Sequence, residues 1–351
     1  MKYFIKTFGC AANEADAERI AGYYETKGLK RAKTMETADV VVINTCSVRQ
    51  SAEHRAYGLI NNLAKKRQNS TSPRLRRTKQ KIVLAGCMLR YGVTTLKEKM
   101  SQVDEFLRIE ELEKTVPKRE KKETALVSIM EGCNNFCTYC VVPYARGREK
   151  SKPFEEIVCE VEELAKRGYK EITLIGQNVN SYGRDFNNDS NHLNRTLSFA
   201  QLLSRLNQIE SLEKISFLTS NPWDLTDDTI QSIKLPKIDK YLHLAVQSGD
   251  DEILRRMNRS YRANEYLSLI NKIREEIPEI KIGTDIIVGF PGESKEQFEK
   301  TVKLCKQAKF VKAYVARYSP RPGTAAYKFP DDVSAQEKKR RWQVLEELIN
   351  K

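Results

Sequence analysis

Residues 133–140 read Cys-Asn-Asn-Phe-Cys-Thr-Tyr-Cys, which puts the thiols of Cys133, Cys137 and Cys140 within one short loop. Thiolates at this spacing can wrap a single cubane iron-sulfur cluster, and because such clusters usually take four cysteines, one iron is left open to another ligand. Zinc is the alternative. A closed zinc site needs four ligands, and His54, His192 and His243 all lie far off in sequence. A second set of thiols, Cys10, Cys46 and Cys87, closes three apolar, β-branched runs at residues 3–10, 39–46 and 81–87. Parallel strands that end in cysteine bring their thiols to one sheet edge, the edge where α/β folds bind ligands. These three can hold another cluster, again one cysteine short; three buried structural cysteines are the alternative. Cys159 and Cys305 fall inside helical patterns beside apolar neighbours and read as structural.

The elements that position these residues form an α/β chain. Helical periodicity over residues 14–27, closed by Gly28, and over residues 51–66 separates the first three strand patterns, so the start of the chain alternates strand and helix. That alternation predicts a parallel sheet. A polar run around Pro117 marks a boundary. Beyond it, strands are expected at residues 125–130, 171–176, 214–219, 241–246, 281–288 and 311–318. Helices are expected at 154–167, 197–209, 226–233, 264–276 and 295–308. Six βα units predict an incomplete barrel with its reactive groups on loops at the C-terminal strand ends. Residues 334–351 read as one capped helix.

Among 351 residues, 61 Lys and Arg against 47 Asp and Glu give a net charge of +14, which favours a polyanionic partner such as nucleic acid. Eight cysteines, clustered as they are, point to metal ligation and not to a disulfide framework. No apolar run approaches the roughly 18 residues of a membrane helix, and the start, Met1 to Lys6, lacks a secretory signal. The expectation is a soluble, cytoplasmic protein.

The segment Cys133 to Cys140 resembles the CxxxCxxC signature of the radical S-adenosylmethionine (SAM) superfamily. With the N-terminal cysteines, the chain as a whole resembles the methylthiotransferases of that superfamily. The resemblance rests on residues 7–10 (Thr-Phe-Gly-Cys), 44–49 (Asn-Thr-Cys-Ser-Val-Arg), 86–88 (Gly-Cys-Met), 130–137, 142–149 (Val-Pro-Tyr-Ala-Arg-Gly-Arg-Glu), 176–183 (Gly-Gln-Asn-Val-Asn-Ser-Tyr-Gly), 246–249 and 284–293. Residues 47–53, Ser-Val-Arg-Gln-Ser-Ala-Glu, with Tyr318 to Thr324, are similar to the MiaB branch, which acts on N6-isopentenyladenosine at tRNA position 37. Two departures stand out: Ala11-Ala12 where relatives carry Gln-Met, and Ala245 where they carry Pro.

The resemblance implies a flavodoxin-like N-terminal domain (1–121) with an auxiliary 4Fe-4S cluster on Cys10, Cys46 and Cys87. It implies a partial (β/α)6 radical SAM barrel (122–331) with a 4Fe-4S cluster on Cys133, Cys137 and Cys140, and a C-terminal helix (332–351). The family usually continues into a small β-barrel RNA-binding (TRAM) domain, which is not expected here. Contact with tRNA is therefore expected on the basic loop 65–81 and on Lys338, Lys339, Arg340 and Arg341, although charge runs are as often solvated faces. Two molecules of SAM per turnover are implied, one donating a methyl group to sulfur and one generating the radical. Tyr139 would lie near the adenine. By position at strand ends, Gln177, Asn178, Gln247 and the backbone of Gly289 and Gly292 are candidate SAM contacts, joined by Asp285 and Glu293. Arg146 and Arg148 could meet phosphate or carboxylate charge, or equally serve as surface ion-pair partners. A small electron-transfer protein is the expected reductant, and the chain is expected to act as a monomer. Methylthiolation of threonylcarbamoyl-adenosine tRNA or of a ribosomal protein, and a nonenzymatic RNA-binding role with metals used for folding, are the competing readings.

Overall fold

The run Val40–Thr45 is buried on both faces because helices cover both sides of the sheet it centres. A computed structural model describes residues 1–48, 50–69, 80–112, 115–121, 123–188 and 197–351, with no account of the side chains of residues 68, 69, 187 and 188. It divides into two units, Met1–Lys122 with Tyr144–Arg146, and Glu123–Pro143 with Gly147–Lys351.

The first unit runs β1 (Lys2–Phe8), α1 (Ala11–Thr26), β2 (Lys30–Arg31), β3 (Val40–Thr45), α2 (Gln50–Asn69), β4 (Lys81–Gly86), α3 (Val93–Lys99) and β5 (Glu105–Leu107). Its sheet is parallel in the order β2-β1-β3-β4-β5, the flavodoxin-like arrangement. Alternation along the strands splits its core. Tyr3, Ile5, Val40, Val42 and Val83 pack with Ile20 and Ala21 of α1, whereas Val41, Ile43, Ile82 and Leu84 pack with Ala56, Ile60 and Leu63 of α2. The sequence pattern misses β2, α3 and β5, which are too short to carry a periodic signal.

The second unit opens with β6 (Thr124–Ser128), β7 (Met130–Glu131), α4 (Val142–Arg146, whose last three residues group with the first unit), β8 (Lys150–Ser151) and α5 (Phe154–Lys166). It continues through β9 (Glu171–Ile175), α6 (Phe199–Asn207), β10 (Lys214–Phe217), α7 (Asp227–Ile233), β11 (Tyr241–His243), α8 (Asp251–Arg256), α9 (Ala263–Glu276), β12 (Lys281–Val288), α10 (Lys295–Ala308), β13 (Lys312–Arg317) and α11 (Ala335–Ile349). The parallel set β6-β9-β10 joins the parallel set β11-β12-β13 through the bridges Ile215 to Ile238 and Ser220 to Leu244. Six strands in chain order thus form an open, curved sheet. Its convex residues, such as Leu174, Phe217, Leu242, Ile282, Ile286 and Ala313, bury against the helices in one core. Ser198 and Ser294 start α6 and α10 as capping boxes with Gln201 and Gln297. The C-terminal helix α11, capped by Ser334, buries Leu345 in this core. Among the described residues no helix is long and apolar enough to cross a membrane.

Candidate cluster and cofactor site

In the first unit the three thiols meet at the C-terminal edge of the sheet. Cys46 directly follows β3 and Cys87 follows β4, but Cys10 stands two residues beyond β1, at the N-cap of α1. A buried amide pair fixes this arrangement: Asn44 Nδ2 donates to the Asn13 carbonyl (2.6 Å) and Asn13 Nδ2 to Asn44 Oδ1 (3.4 Å), tying the end of β3 to the first turn of α1. Cys46 interacts with the thiols of both Cys10 and Cys87. That contact lowers Cys10 to about 5 and Cys87 to about 7, while Cys46 itself is pushed far up. Arg146 adds positive charge beside Cys10 and is held by the buried Asp16 at 2.5 Å, so it anchors the thiol site and was not predicted to.

In the second unit, the cysteine loop follows β6 and β7 and is held from two sides. Gly132 N donates to Gln177 Oε1 (2.6 Å), Cys133 N to the Gly147 carbonyl (3.2 Å), and Asn134 and Glu149 exchange backbone-to-side-chain bonds. Gly132 is required here: its φ is +78°, and a Cβ would lie 2.0 Å from the Arg148 carbonyl oxygen. From the other side, Thr138 N donates to the Met257 carbonyl (3.0 Å), Asn258 Nδ2 to the Asn135 and Phe136 carbonyls, and Arg259 Nη1 to Cys137 Sγ (3.5 Å). The residues that follow α8 are therefore part of the site, and sequence reasoning missed them. Burial pushes the Cys133 and Cys140 thiols up to about 12.

Arg259 is buried, stacked 4.4 Å from the Trp223 ring, and bonded to Asn221 Oδ1, the Ala245 carbonyl and the Tyr261 hydroxyl. No described Asp or Glu pairs with it. Among the described residues no three His, Cys, Asp or Glu side chains close on a single metal ion.

The expected SAM contacts divide. Tyr139 packs beside Met257, Phe290 and Tyr318 at the loop. Gln177 supports the loop backbone. Asn178 donates to Asp224 (2.6 Å), and its buried Oδ1 has no hydrogen-bond partner, an acceptor open to a ligand. Gln247 stands at φ +69°, a backbone region uncommon for a non-glycine residue, between the bonds of its own N to the Asp285 carbonyl and of Ile287 N to its carbonyl. Asp285 bonds His243. Gly289, Gly292 and Glu293 correct the expectation: Gly289 N donates to Glu293 Oε2, Gly292 N to Asp332, and Glu293 is buried against Arg341 at 2.7 Å. These amides and this carboxylate close a turn and dock α11.

The basic run on α11 is corrected in the same way. Lys338 and Arg341 are buried and paired with Asp331 and Glu293, and Arg340 pairs with Glu337. An amphipathic helix points such a run in several directions. Of the loop 65–81, residues 70–79 lie outside the described residues, and Arg67 pairs with Asp104. Arg148 stacks over Phe136, 4.4 Å from the ring centroid.

The chain matches the family described as the radical SAM superfamily over residues 127–305, and the family described as uncharacterized protein family UPF0004 over residues 2–108. In fold it is similar to the radical SAM methyltransferase TsrM from Kitasatospora setae, solved with cobalamin and a [4Fe-4S] cluster (TM-score 0.63, 12% identity, 93% of this chain and 76% of that one). It is similar also to the cobalamin-dependent radical enzyme OxsB (TM-score 0.54, 10% identity, 100% of this chain and 55% of that one). Fold and cysteine loop together define a radical SAM enzyme. Two relatives are the tRNA-2-methylthio-N6-dimethylallyladenosine synthases of Clostridium tetani (42% identity, 99% of this chain and 81% of the relative) and Thermoanaerobacter pseudethanolicus (43%, 99% and 78%). The chain belongs to this family of radical SAM methylthiotransferases, the tRNA-2-methylthio-N6-dimethylallyladenosine synthases.

Proposed function

We propose that the chain methylthiolates C2 of N6-isopentenyladenosine at position 37 of tRNA, using SAM and two 4Fe-4S clusters. The observation that carries this reading is the pair of three-cysteine sets, each one thiolate short of a complete cluster, in a member of this family. Cys133, Cys137 and Cys140 would hold the cluster that, when bound, supplies the electron for splitting the SAM sulfonium. Cys10, Cys46 and Cys87 would hold the auxiliary cluster that carries the sulfur to be methylated.

The protein's own groups do the rest. The low-lying thiols of Cys10 and Cys87 are readily available as thiolates. Burial of Cys133 and Cys140 keeps water away and makes metal loading release protons. Arg259 supplies a permanent positive charge beside the loop. Tyr139, Gln177, Asn178 and Gln247 would orient SAM at the strand ends, with Asp285 on the adjoining wall, while Gly289, Gly292 and Glu293 shape the turn beneath it. Functionally, residues 1–121 would carry the auxiliary site, 122–331 the radical site and 332–351 its supporting helix. The enzyme would work in the cytoplasm as a monomer, reduced by a small electron-transfer protein.

The test is anaerobic reconstitution with iron and sulfide, followed by incubation with SAM, dithionite and isopentenylated tRNA, with product nucleosides read by mass spectrometry. A gain of one methylthio group on the isopentenylated adenosine supports the reading. 5′-Deoxyadenosine without modified tRNA would redirect the search to threonylcarbamoyl-adenosine tRNA or a ribosomal protein, and no SAM consumption would favour a nonenzymatic RNA-binding protein.

A further inference from the structure

Side chains inside a closed (β/α) barrel are usually branched aliphatics packed in layers. The concave face of β11, β12 and β13 departs from that rule. Residues 242, 282, 284 and 286 are fully buried on the convex side, so strand alternation turns Tyr241, His243, Asp285 and Tyr314 to the inner face. In register His243 lies opposite Gly283, and Asp285, two residues further along β12, lies opposite Tyr314. His243 Nε2 lies 2.8 Å from Asp285 Oδ2, and the Tyr241 hydroxyl lies 3.3 Å from His243 Nδ1, so both ring nitrogens are engaged. The Tyr314 ring stands 5.6 Å from the His243 ring. Gly283 leaves the room this group needs: a Cβ there would lie 2.1 Å from the Tyr241 hydroxyl.

Two features are those of a site and not of a core. The second carboxylate oxygen of Asp285 accepts no hydrogen bond from the described residues, and the Asp285 side chain is 42% exposed. Tyr314 is 52% exposed although it faces inward. A free anionic acceptor beside an open aromatic face takes a flat ring that stacks and donates an N–H. Two residues further along β12, Ile287 packs on the small core of Ile253, Met257, Phe290 and Tyr318, as does Tyr139 of the cysteine loop.

We propose that Asp285 and Tyr314, with His243 positioning the carboxylate, form the recognition layer for the target nucleobase, the adenine taken out of the tRNA. Asp285 accepts the N6–H that survives isopentenylation, and Tyr314 stacks on the ring. His243 fixes Asp285 Oδ2 and so aims the other oxygen at the base. This inference rests on the tRNA reading above.

The experiment uses the reconstituted enzyme with an isopentenylated anticodon stem-loop, comparing wild type with Asp285→Asn and Tyr314→Ala. Three quantities are read: KM and kcat for the stem-loop, KM for SAM, and 5′-deoxyadenosine formed without RNA. Asn at 285 can turn an N–H donor toward the base, and loss of a charge-assisted hydrogen bond corresponds to about 10- to 100-fold. The expected result is that loss in kcat/KM for the stem-loop, well beyond any change in the KM for SAM or in the 5′-deoxyadenosine formed without RNA. Tyr314→Ala keeps the proposal testable should Asp285→Asn load iron poorly, and it is expected to raise the stem-loop KM about tenfold or more. A matching loss in SAM affinity would assign the layer to the SAM adenine and overturn the proposal, as would unchanged stem-loop kinetics in both variants. If wild type leaves the stem-loop unmodified, the tRNA reading itself fails, which is a distinguishable outcome.

Discussion

Arg259 Nη1 lies 3.5 Å from Cys137 Sγ, and this buried guanidinium has no carboxylate partner among the described residues. A buried charge without a counter-charge costs several kcal/mol, so the site is electrostatically complete only when the loop carries negative charge. Replacing Arg259 with Met is expected to weaken iron loading and to move the reduction potential of the cluster on this loop to more negative values. Lys at 259 should restore only part, because it lacks the planar fork that reaches Cys137, Asn221 and Ala245 together. An EPR-monitored redox titration checks both variants; equal potentials across wild type, Met and Lys would rule out an electrostatic role.

The two cysteine sets should separate the reaction into halves. Ala at Cys133, Cys137 or Cys140 is expected to abolish 5′-deoxyadenosine formation. Ala at Cys10, Cys46 or Cys87 should leave that product while eliminating the methylthio group on tRNA. Each triple variant should lose about four irons per chain relative to wild type. Iron analysis beside product analysis checks this, and retention of methylthio transfer without Cys10, Cys46 and Cys87 would contradict the division.

Gly132→Ala should prevent the loop from closing. A left-handed backbone costs about 1–3 kcal/mol for a side chain that resists it, and the added Cβ would meet the Arg148 carbonyl, a backbone atom that cannot swing aside. The expected result is a folded protein with reduced iron content, seen as normal circular dichroism with a weak iron-sulfur absorbance. Full iron loading would show that the loop tolerates a different path.

The stability contributed by α11 should depend on pH through Glu337, which pairs within the helix. Hydrogen bonds from Arg340 and Arg341 hold its carboxyl down at about 2 against an ordinary 4.5. A lowered acid pKa stabilises the fold at every pH above 4.5, and the contribution is lost as pH falls from 4.5 toward 2, because the unfolded chain takes up the proton first. Melting temperatures across that range should fall less steeply for Glu337→Gln than for wild type. Parallel curves would mean that the Arg340 and Arg341 contacts contribute nothing to stability.

Cys133, Cys137 and Cys140 are legible as one group of thiols because their spacing is local, and Cys10, Cys46 and Cys87 as another because each follows an apolar strand pattern. The six-fold alternation of strand and helix likewise announces an open parallel barrel, since periodicity records which face of each element is buried. Lys338 and Arg341 misled, because a run of charge says nothing about which member meets an acid across the fold. Glu293 and the amides of Gly289 and Gly292 misled similarly, as their partners Arg341 and Asp332 come from the far end of the chain.

The sequence by itself determined the chemistry available to this protein: which thiols exist, how they are grouped and which strand ends carry them. Only the tertiary structure decided which other groups stand beside that chemistry. Arg259 reaches Cys137 from 122 residues away, and His243 reaches Asp285 across 42. The reason is physical. Strand register and the exit of a helix set such contacts to within an ångström, and burial in a common core fixes both, whereas local propensity constrains neither.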